Sequence, residues 1–319
     1  MKAITVTNPD DPTSLALTEV DLPQLKDGEV LVKVQAAGVN RADLLQAKGH
    51  YPPPRGASEI IGLECAGVIE DPGTTGRAKG EQVGCLLSGG GYAEYVAVPE
   101  GQLMPIPEGY SLAETAAIVE VACTVWSNLG MLADVQPGQT VLLHGGAGGI
   151  GTFAIQLCKA LGATVAVTAG SAAKLETCRE LGADILINYR EEDFSEVLKG
   201  RCDVILDIIG AKYLKQNLRA LGEDGRLIII GLQGGTTAEI NLGALLPRRL
   251  TVSGTTLRAR SAAGKAEVVR STIEHVWPML IDGRVTHHIH TFLPLADAAR
   301  AHALLDSGEV TGKIVLEVA

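Results

Sequence analysis

At 319 residues, with 46% apolar, 20% charged and 3% aromatic side chains, the chain carries enough aliphatic surface for two ordinary cores, which argues against disorder or a fibrous repeat. A net charge of -10, with Lys and Arg scattered rather than striped, argues against an extended phosphate backbone as partner, so no nucleic acid is expected. No stretch approaches the roughly 20 apolar residues of a membrane span, the opening MKAITVTNPDDP lacks an apolar leader core, and the six cysteines contain no CxxC pair. Reduced thiols, no membrane and a cytoplasmic location are the expectations.

From residue 1 to 114 short strands alternate with Pro, Gly and Asp clusters: KAITVT, EVLVKVQAAGV, EIIGLECAGVIE, EQVGCLLS and AEYVAV. This pattern predicts a β-rich barrel or rolled sheet. From 115 to 257 the grammar changes to strand then helix, with the apolar strands TVLLHGG, TVAVTAG, DILINY, DVILDIIG, RLIIIG and LTVSGTTL. Such alternation predicts an α/β unit with a parallel sheet covered by helices. Residues 258–319 supply a helix around EVVRSTIEHVWPMLIDG, a strand near HHIHTFLPL, a helix LADAARAHALLDSG and a closing strand KIVLEV, elements expected to return to the first domain.

HGGAGGIG follows a strand and opens a helix, with the spacing Gly146-x-Gly148-x-x-Gly151. Glycines there allow a tight turn and close approach of a pyrophosphate, while Gly149, Ile150 and Gly151 begin a helix whose N-terminus favours an anion. The second strand ends VTAGSAAK, so Gly170 and Ser171 stand where an NAD-preferring site usually carries Asp or Glu for the ribose 2'-hydroxyl. Small residues leave room for a 2'-phosphate. Lys174 lies one helical turn on, and Tyr189 and Arg190 follow the third strand and could close the pocket; Lys174 taken alone reads equally well as a solvated helix residue. The combination points to NADP(H).

AAGVNRADLLQAKGHYPPPRGASEIIGLECAG, the glycine turn and the closing GKIVLEV resemble the medium-chain dehydrogenase/reductase superfamily, in its zinc-independent quinone oxidoreductase branch alongside zeta-crystallin. NRADLLQ followed by GHYPPPRGAS is most similar to the subgroup of tumour-suppressor-inducible NADPH quinone oxidoreductases. The resemblance implies a GroES-like catalytic domain made of the two chain ends, a Rossmann nucleotide-binding domain between them, and a cleft where substrate meets nicotinamide. It also implies a homodimer, for which the strand RRLTVSGTTL offers an edge.

Zinc alcohol dehydrogenases of the superfamily carry Cys where this chain has Asn40, and His where it has Leu63 of Gly62-Leu63-Glu64. Neither replacement serves zinc, and the four-cysteine lobe is missing, so no metal is expected. The three histidines of THHIHT, His287, His288 and His290, read better as a polar strand face, and His144 as a packed strand end. By resemblance the pocket wall includes Asn40, Asp43 and Tyr51; Thr124, Gly231 and Leu232 lie by the nicotinamide; and Lys313 of the terminal GK reaches the cofactor. Tyr51 is either the hydrogen-bond donor to the reduced oxygen or an aromatic cover. Val119-Glu120 stand where many relatives have proline, and Glu120 reads as a helix-start carboxylate. The expected activity is NADPH-dependent, zinc-independent reduction of a quinone or related conjugated carbonyl. The alternatives are enoyl or 2-alkenal reduction, and a non-catalytic NADPH-binding role.

Overall fold

The computed structural model describes residues 1–8, 11 and 13–318. Its backbone contacts divide into two units: Met1–Cys123 with Leu257–Asp282 and His287–Ala319, and Thr124–Thr256 with Gly283–Thr286. In chain order the first part of the first unit runs β1 (Lys2–Val6), β2 (Leu15–Glu19), β3 (Glu29–Val39), α1 (Arg41–Ala47), β4 (Glu64–Asp71), β5 (Gln82–Leu86), β6 (Tyr95–Pro99), β7 (Leu103–Pro105) and α2 (Leu112–Ala116). Next comes α3 (Val119–Val125). The second unit holds β8 (Thr140–His144), α4 (Gly149–Ala160), β9 (Thr164–Ala169), α5 (Ala172–Glu180), β10 (Ile185–Asn188), α6 (Phe194–Val197), β11 (Cys202–Asp207), α7 (Leu214–Ala220), β12 (Leu221–Ile229) and β13 (Thr251–Gly254). The chain then returns to the first unit with α8 (Ala262–His275), α9 (Trp277–Ile281), β14 (Ile289–Pro294), α10 (Ala298–Asp306) and β15 (Lys313–Glu317).

Alternation organises the first unit. Strand β3 buries every second residue up to Val34 and then turns wholly inward over Ala36–Val39. One edge of it pairs with β4; along the other, Glu29–Lys33 pair with β6 and Ala36–Val39 pair antiparallel with the late strand β15, giving the order β14-β15-β3-β4-β5-β7. Its core gathers Val30, Val32, Val34, Ile69, Val83 and Tyr92 with Ile314 and Leu316 from the returning segment. Small residues let α2 lie close on the sheet, where Ala116 and Ala117 meet Ala36, Ala66 and Val315.

The second unit's six strands are all parallel in the order β10-β9-β8-β11-β12-β13, the order of a doubly wound nucleotide-binding sheet. The central strands β8, β9 and β11 are short aliphatic runs, as burial on both faces demands, whereas the edge strand β13 is half-buried to exposed. Leu142, Ala166, Ile187, Ile205 and Leu227 supply one strand residue each to its core.

Several local readings change. The run expected to form one helix across residues 267–283 starts earlier, at Ala262, and breaks after His275, because Pro278 has no N–H to continue it and instead occupies the first turn of α9. The strand expected from Glu59 begins at Glu64, after Gly62 turns with φ 111°. The short strands β2 and β7 and the helices α1, α2 and α3 carry too few periodic residues to stand out in the sequence. Among the described residues no helix is long and apolar enough to cross a membrane.

Candidate active site

In the second unit the site begins where β8 ends. Gly145 takes φ 71°, Gly146 N–H donates to the Thr168 carbonyl at 3.0 Å, and Gly148 N–H returns to the Gly145 carbonyl at 3.0 Å. The three fingerprint glycines then separate by cause. A Cβ on Gly151 would lie 2.4 Å from the Gly146 carbonyl oxygen, and one on Gly146 would lie 2.8 Å from Val167 Cβ. Those two serve packing of turn, helix and strand. A Cβ on Gly148 would meet only the Gly145 carbonyl oxygen, at 3.5 Å, and this residue is exposed. The bare surface at Gly148, beside the unspent N–H groups of Gly149, Ile150 and Gly151 in the first turn of α4, is a fitting cradle for a pyrophosphate.

At the end of β9 a Cβ on Gly170 would lie 2.5 Å from Tyr189 Oη and 3.3 Å from Arg190 Nε. Tyr189 and Arg190 are therefore folded over Gly170. Ser171 caps α5, its hydroxyl accepting the Lys174 N–H at 3.4 Å. Gly170, Ser171, Lys174, Tyr189 and Arg190 thus come together at one strand end with no carboxylate among them.

Below the turn lies a network that sequence reasoning missed. His144 Nδ1 pairs with Thr168 Oγ1 at 3.0 Å and its Nε2 with Asn217 Oδ1 at 2.8 Å, while Asn217 Nδ2 donates to Asp207 at 3.0 Å. Burial pulls His144 down to about 4, so the ring is neutral and sits edge-on to Phe194 at 4.7 Å. The Asp207 carboxylate also accepts Ile209 and Gly210 N–H groups, and burial pushes its pKa up to about 6. A Cβ on Gly210 would lie 2.8 Å from Leu232 Cδ2, so the loop carrying Gly231 and Leu232 rests on that turn. Thr124 is buried, its carbonyl accepting Asn128 Nδ2 at 2.8 Å.

In the first unit the candidate residues meet through side chains. Asn40 caps α1, its N–H donating to Asp43 Oδ2 at 2.7 Å. Its amide Nδ2 donates to Glu64 Oε1 at 2.9 Å, and its Oδ1 accepts the Lys313 ammonium at 2.6 Å. Lys313 also donates to Glu64 Oε1, and Glu64 Oε2 accepts the Glu120 N–H at 2.8 Å. The carboxylate of Glu64 is wholly buried, and it fits the sheet only because position 38 has no side chain: a Cβ on Gly38 would fall 2.2 Å from Glu64 Oε1. Asp43 is wholly buried beside it and accepts the Tyr92 hydroxyl at 3.1 Å, with Oδ1 lacking a partner among the described residues. Desolvation pushes Asp43 up to about 7. Tyr92 Oη in turn lies 3.3 Å from His302 Nε2, whose ring burial pulls down to about 4. Tyr51 is half-buried, with its carbonyl accepting Arg258 Nη1 at 2.9 Å.

The structure therefore unites Asn40, Asp43 and Lys313 and adds Glu64, which no local motif singles out. Lys313 reaches this cluster from 273 residues beyond Asn40. The donor set does not suit zinc: Asn40 has both amide ends committed, Leu63 is buried and apolar, and Glu64 already holds an ammonium. Among the described residues no three His, Cys, Asp or Glu side chains group to hold a metal. His287 Nε2 instead pairs with Glu114 at 3.0 Å, and the His288 carbonyl accepts the Lys313 N–H.

Two family models match the chain. Residues 26–108 match the family model of the alcohol dehydrogenase GroES-like domain, and residues 149–274 that of the zinc-binding dehydrogenase. The quinone oxidoreductase of Thermus thermophilus, solved also with NADPH, is 32% identical, with 99% of this chain and 100% of that one covered and a TM-score of 0.85. An NAD-dependent alcohol dehydrogenase is 29% identical over 100% of both chains, with a TM-score of 0.87. A mycocerosic acid synthase-like polyketide synthase of Mycobacterium tuberculosis is 30% identical over 98% of this chain. The chain spans only 14–15% of the length of such polyketide synthases.

Proposed function

The chain belongs to the medium-chain dehydrogenase/reductase superfamily, in its quinone oxidoreductase branch, and from that premise we propose that it carries hydride from NADPH to a quinone without a metal. The observation that carries the cofactor reading is the open surface at Gly148 above the first turn of α4, a space that no protein atom claims closely. Gly146 and Gly151 shape that turn, and Gly149, Ile150 and Gly151 offer it N–H groups. Ser171, Lys174, Tyr189 and Arg190 hold the adenosine 2'-phosphate around Gly170. Thr124, Gly231 and Leu232 border the nicotinamide.

When bound, the nicotinamide supplies the hydride and the electronic chemistry. The protein orients the acceptor and stabilises the oxygen on which negative charge grows. Tyr51 donates a hydrogen bond to that oxygen. Asn40 forms a rigid pocket wall because Glu64 and Lys313 fix both ends of its amide. Asp43 has no exposed surface and acts by holding the Asn40 backbone. We place the enzyme in the cytoplasm, consistent with six buried, unpaired thiols. We also propose a homodimer through the edge strand β13, next to the exposed Leu242 and Leu246.

A second reading, reduction of a conjugated carbon-carbon double bond, is favoured by the 30–32% identity to a mycocerosic acid synthase-like polyketide synthase and a phthioceranic/hydroxyphthioceranic acid synthase. Oxidation of NADPH and NADH with ortho-quinones, para-quinones and enones, repeated with Tyr51→Phe, separates the readings. Faster NADPH oxidation with quinones is the expected result. A preference for NADH would sink the assignment of Gly170, Ser171 and Lys174, and turnover of enones alone would replace the quinone with the second acceptor.

A further inference from the structure

The first unit contains a cavity of about 680 Å³ with an uncompensated charge in its wall. Arg258 and Lys265 both line it, and each is only 4% exposed. Buried cations ordinarily find a carboxylate, because desolvating an unpaired charge costs several kcal/mol. Among the described residues these two find none. Lys265 Nζ donates to Ser88 Oγ, and Arg258 donates to the Ser88 carbonyl at 2.9 Å, the Tyr51 carbonyl at 2.9 Å and Gln46 Oε1 at 2.6 Å. All four acceptors are neutral. Two carboxylates also line the cavity, the exposed Asp21 and the half-buried Glu29, whose Oε2 accepts the Lys26 N–H at 2.9 Å; neither is among the partners of Arg258 or Lys265 in the described residues. Asp43 is the carboxylate whose field reaches Arg258, and burial has pushed it up to about 7. Burial first, and the charge of Arg258 second, pull the Lys265 ammonium below its ordinary value.

Two further donors face the same space. Gln102 lines the cavity, is 5% exposed, and its amide makes no hydrogen bond among the described residues. Ala262 and Ser261 also line it, so the 14-residue helix α8 presents its N-terminal turn there. Arg258 has spent three of its five N–H donors on the protein.

We propose that this cavity is an oxyanion site that takes a phosphate monoester group, with Lys265 and Arg258 balancing its two charges and Gln102 and the start of α8 supplying donors. The site is built from residues of the first unit, the glycine turn from residues of the second. Arg258 also places its guanidinium 5.1 Å from the centroid of the Tyr51 ring, so an anion held there bears on the residue that the proposed function puts at the reacting oxygen. The phosphate belongs either to the tail of the substrate or to a free effector. That last link rests on the oxidoreductase reading; the site itself does not.

Calorimetric titration of the full chain with inorganic phosphate, in saturating NADP+ and against chloride at matched ionic strength, tests the site without turnover. One saturable phosphate isotherm is expected, weakened about tenfold or more in Lys265→Met and also reduced in Gln102→Leu. Without phosphate, Lys265→Met should melt at or above the wild-type temperature, because one of two unbalanced buried charges is gone. Absence of saturable phosphate binding, or affinity unchanged in both variants, overturns the proposal; Gln102→Leu keeps it testable if Lys265→Met does not fold. A KM that rises in Lys265→Met for a phosphorylated enone but not for its uncharged analogue assigns the phosphate to the substrate. A KM for the uncharged analogue that responds to added phosphate assigns it to an effector. Phosphate binding without any NADPH oxidation would retain the site and remove the oxidoreductase reading.

Discussion

The two units build their candidate sites from opposite materials. In the second, the turn from Gly145 to Gly151 works through backbone N–H groups and through side chains that are absent. In the first, Asn40, Glu64 and Lys313 form a buried side-chain cluster in which every partner is a distant residue. The contrast teaches that an anion cradle tolerates almost any neighbours if its glycines stay, whereas a buried polar cluster stands or falls as a set.

The largest expected effect lies in that set. Lys313→Met strands the Glu64 carboxylate inside the sheet, and the loss should be about 3–5 kcal/mol by urea denaturation. Pairing it with Glu64→Gln should restore part of that loss; no recovery would show that the cluster is not coupled. At the glycine turn, Gly151→Ala drives a Cβ to 2.4 Å from a carbonyl oxygen and should lower both melting temperature and NADPH affinity, the latter on the order of 100-fold, or about 2.7 kcal/mol. Gly148→Ala sharpens the distinction, since its Cβ meets only an ordinary contact at 3.5 Å. It should leave melting unchanged and still weaken NADPH binding in a fluorescence titration. If binding were intact, the open surface at Gly148 would not be the cradle.

The first unit also carries a pH signature that the glycine turn does not. Asp43 rises from 3.8 to about 7, so between those values the folded chain holds a proton that the unfolded chain has lost. Its contribution is complete below about pH 4 and is lost as pH rises to about 7. Asp43→Asn should therefore gain on wild type across that window by up to about 1.4 kcal/mol per pH unit, and a flat difference would contradict the shift. His144 and His302, each pulled down to about 4, act in the other direction, which is why the comparison with the variant is needed. The smallest expected effect is Gly170→Ala. Its Cβ meets the far end of the Tyr189 side chain, which can swing away, so NADPH affinity should fall only a few-fold, about 1 kcal/mol, with melting unchanged.

How much was legible in the sequence follows from the same contrast. The glycine spacing is local, and the aliphatic strands of the parallel sheet are contiguous runs, so turn, cofactor class and sheet type could be read directly. The first unit's cluster joins positions 40, 64 and 313, and only Asn40 and Lys313 attract notice, through motif resemblance. Glu64 looks like any strand residue until Gly38 is seen to make space for it. Arg258 and Lys265 belong to no motif, and the sequence does not disclose that Ser88, 170 and 177 residues away, accepts from both. His144 reads as a packed strand end, because its partners Asn217 and Asp207 lie far along the chain, Asn217 at 73 residues, and form no pattern.

The pairing of β15 with β3 imposes an order of events on the ribosome. Residues 124–256 can close their parallel sheet while they are still being followed by nascent chain, because all six strands lie within that run. The earlier-made half must wait: Ala36–Val39 have an open flank, and Glu64 has no counter-ion, until a strand made about 270 residues later slides in beside them. Within the first unit, the earlier strand is thus completed by the later one, and in the interval the flank of Ala36–Val39 is an unpaired strand edge open to association.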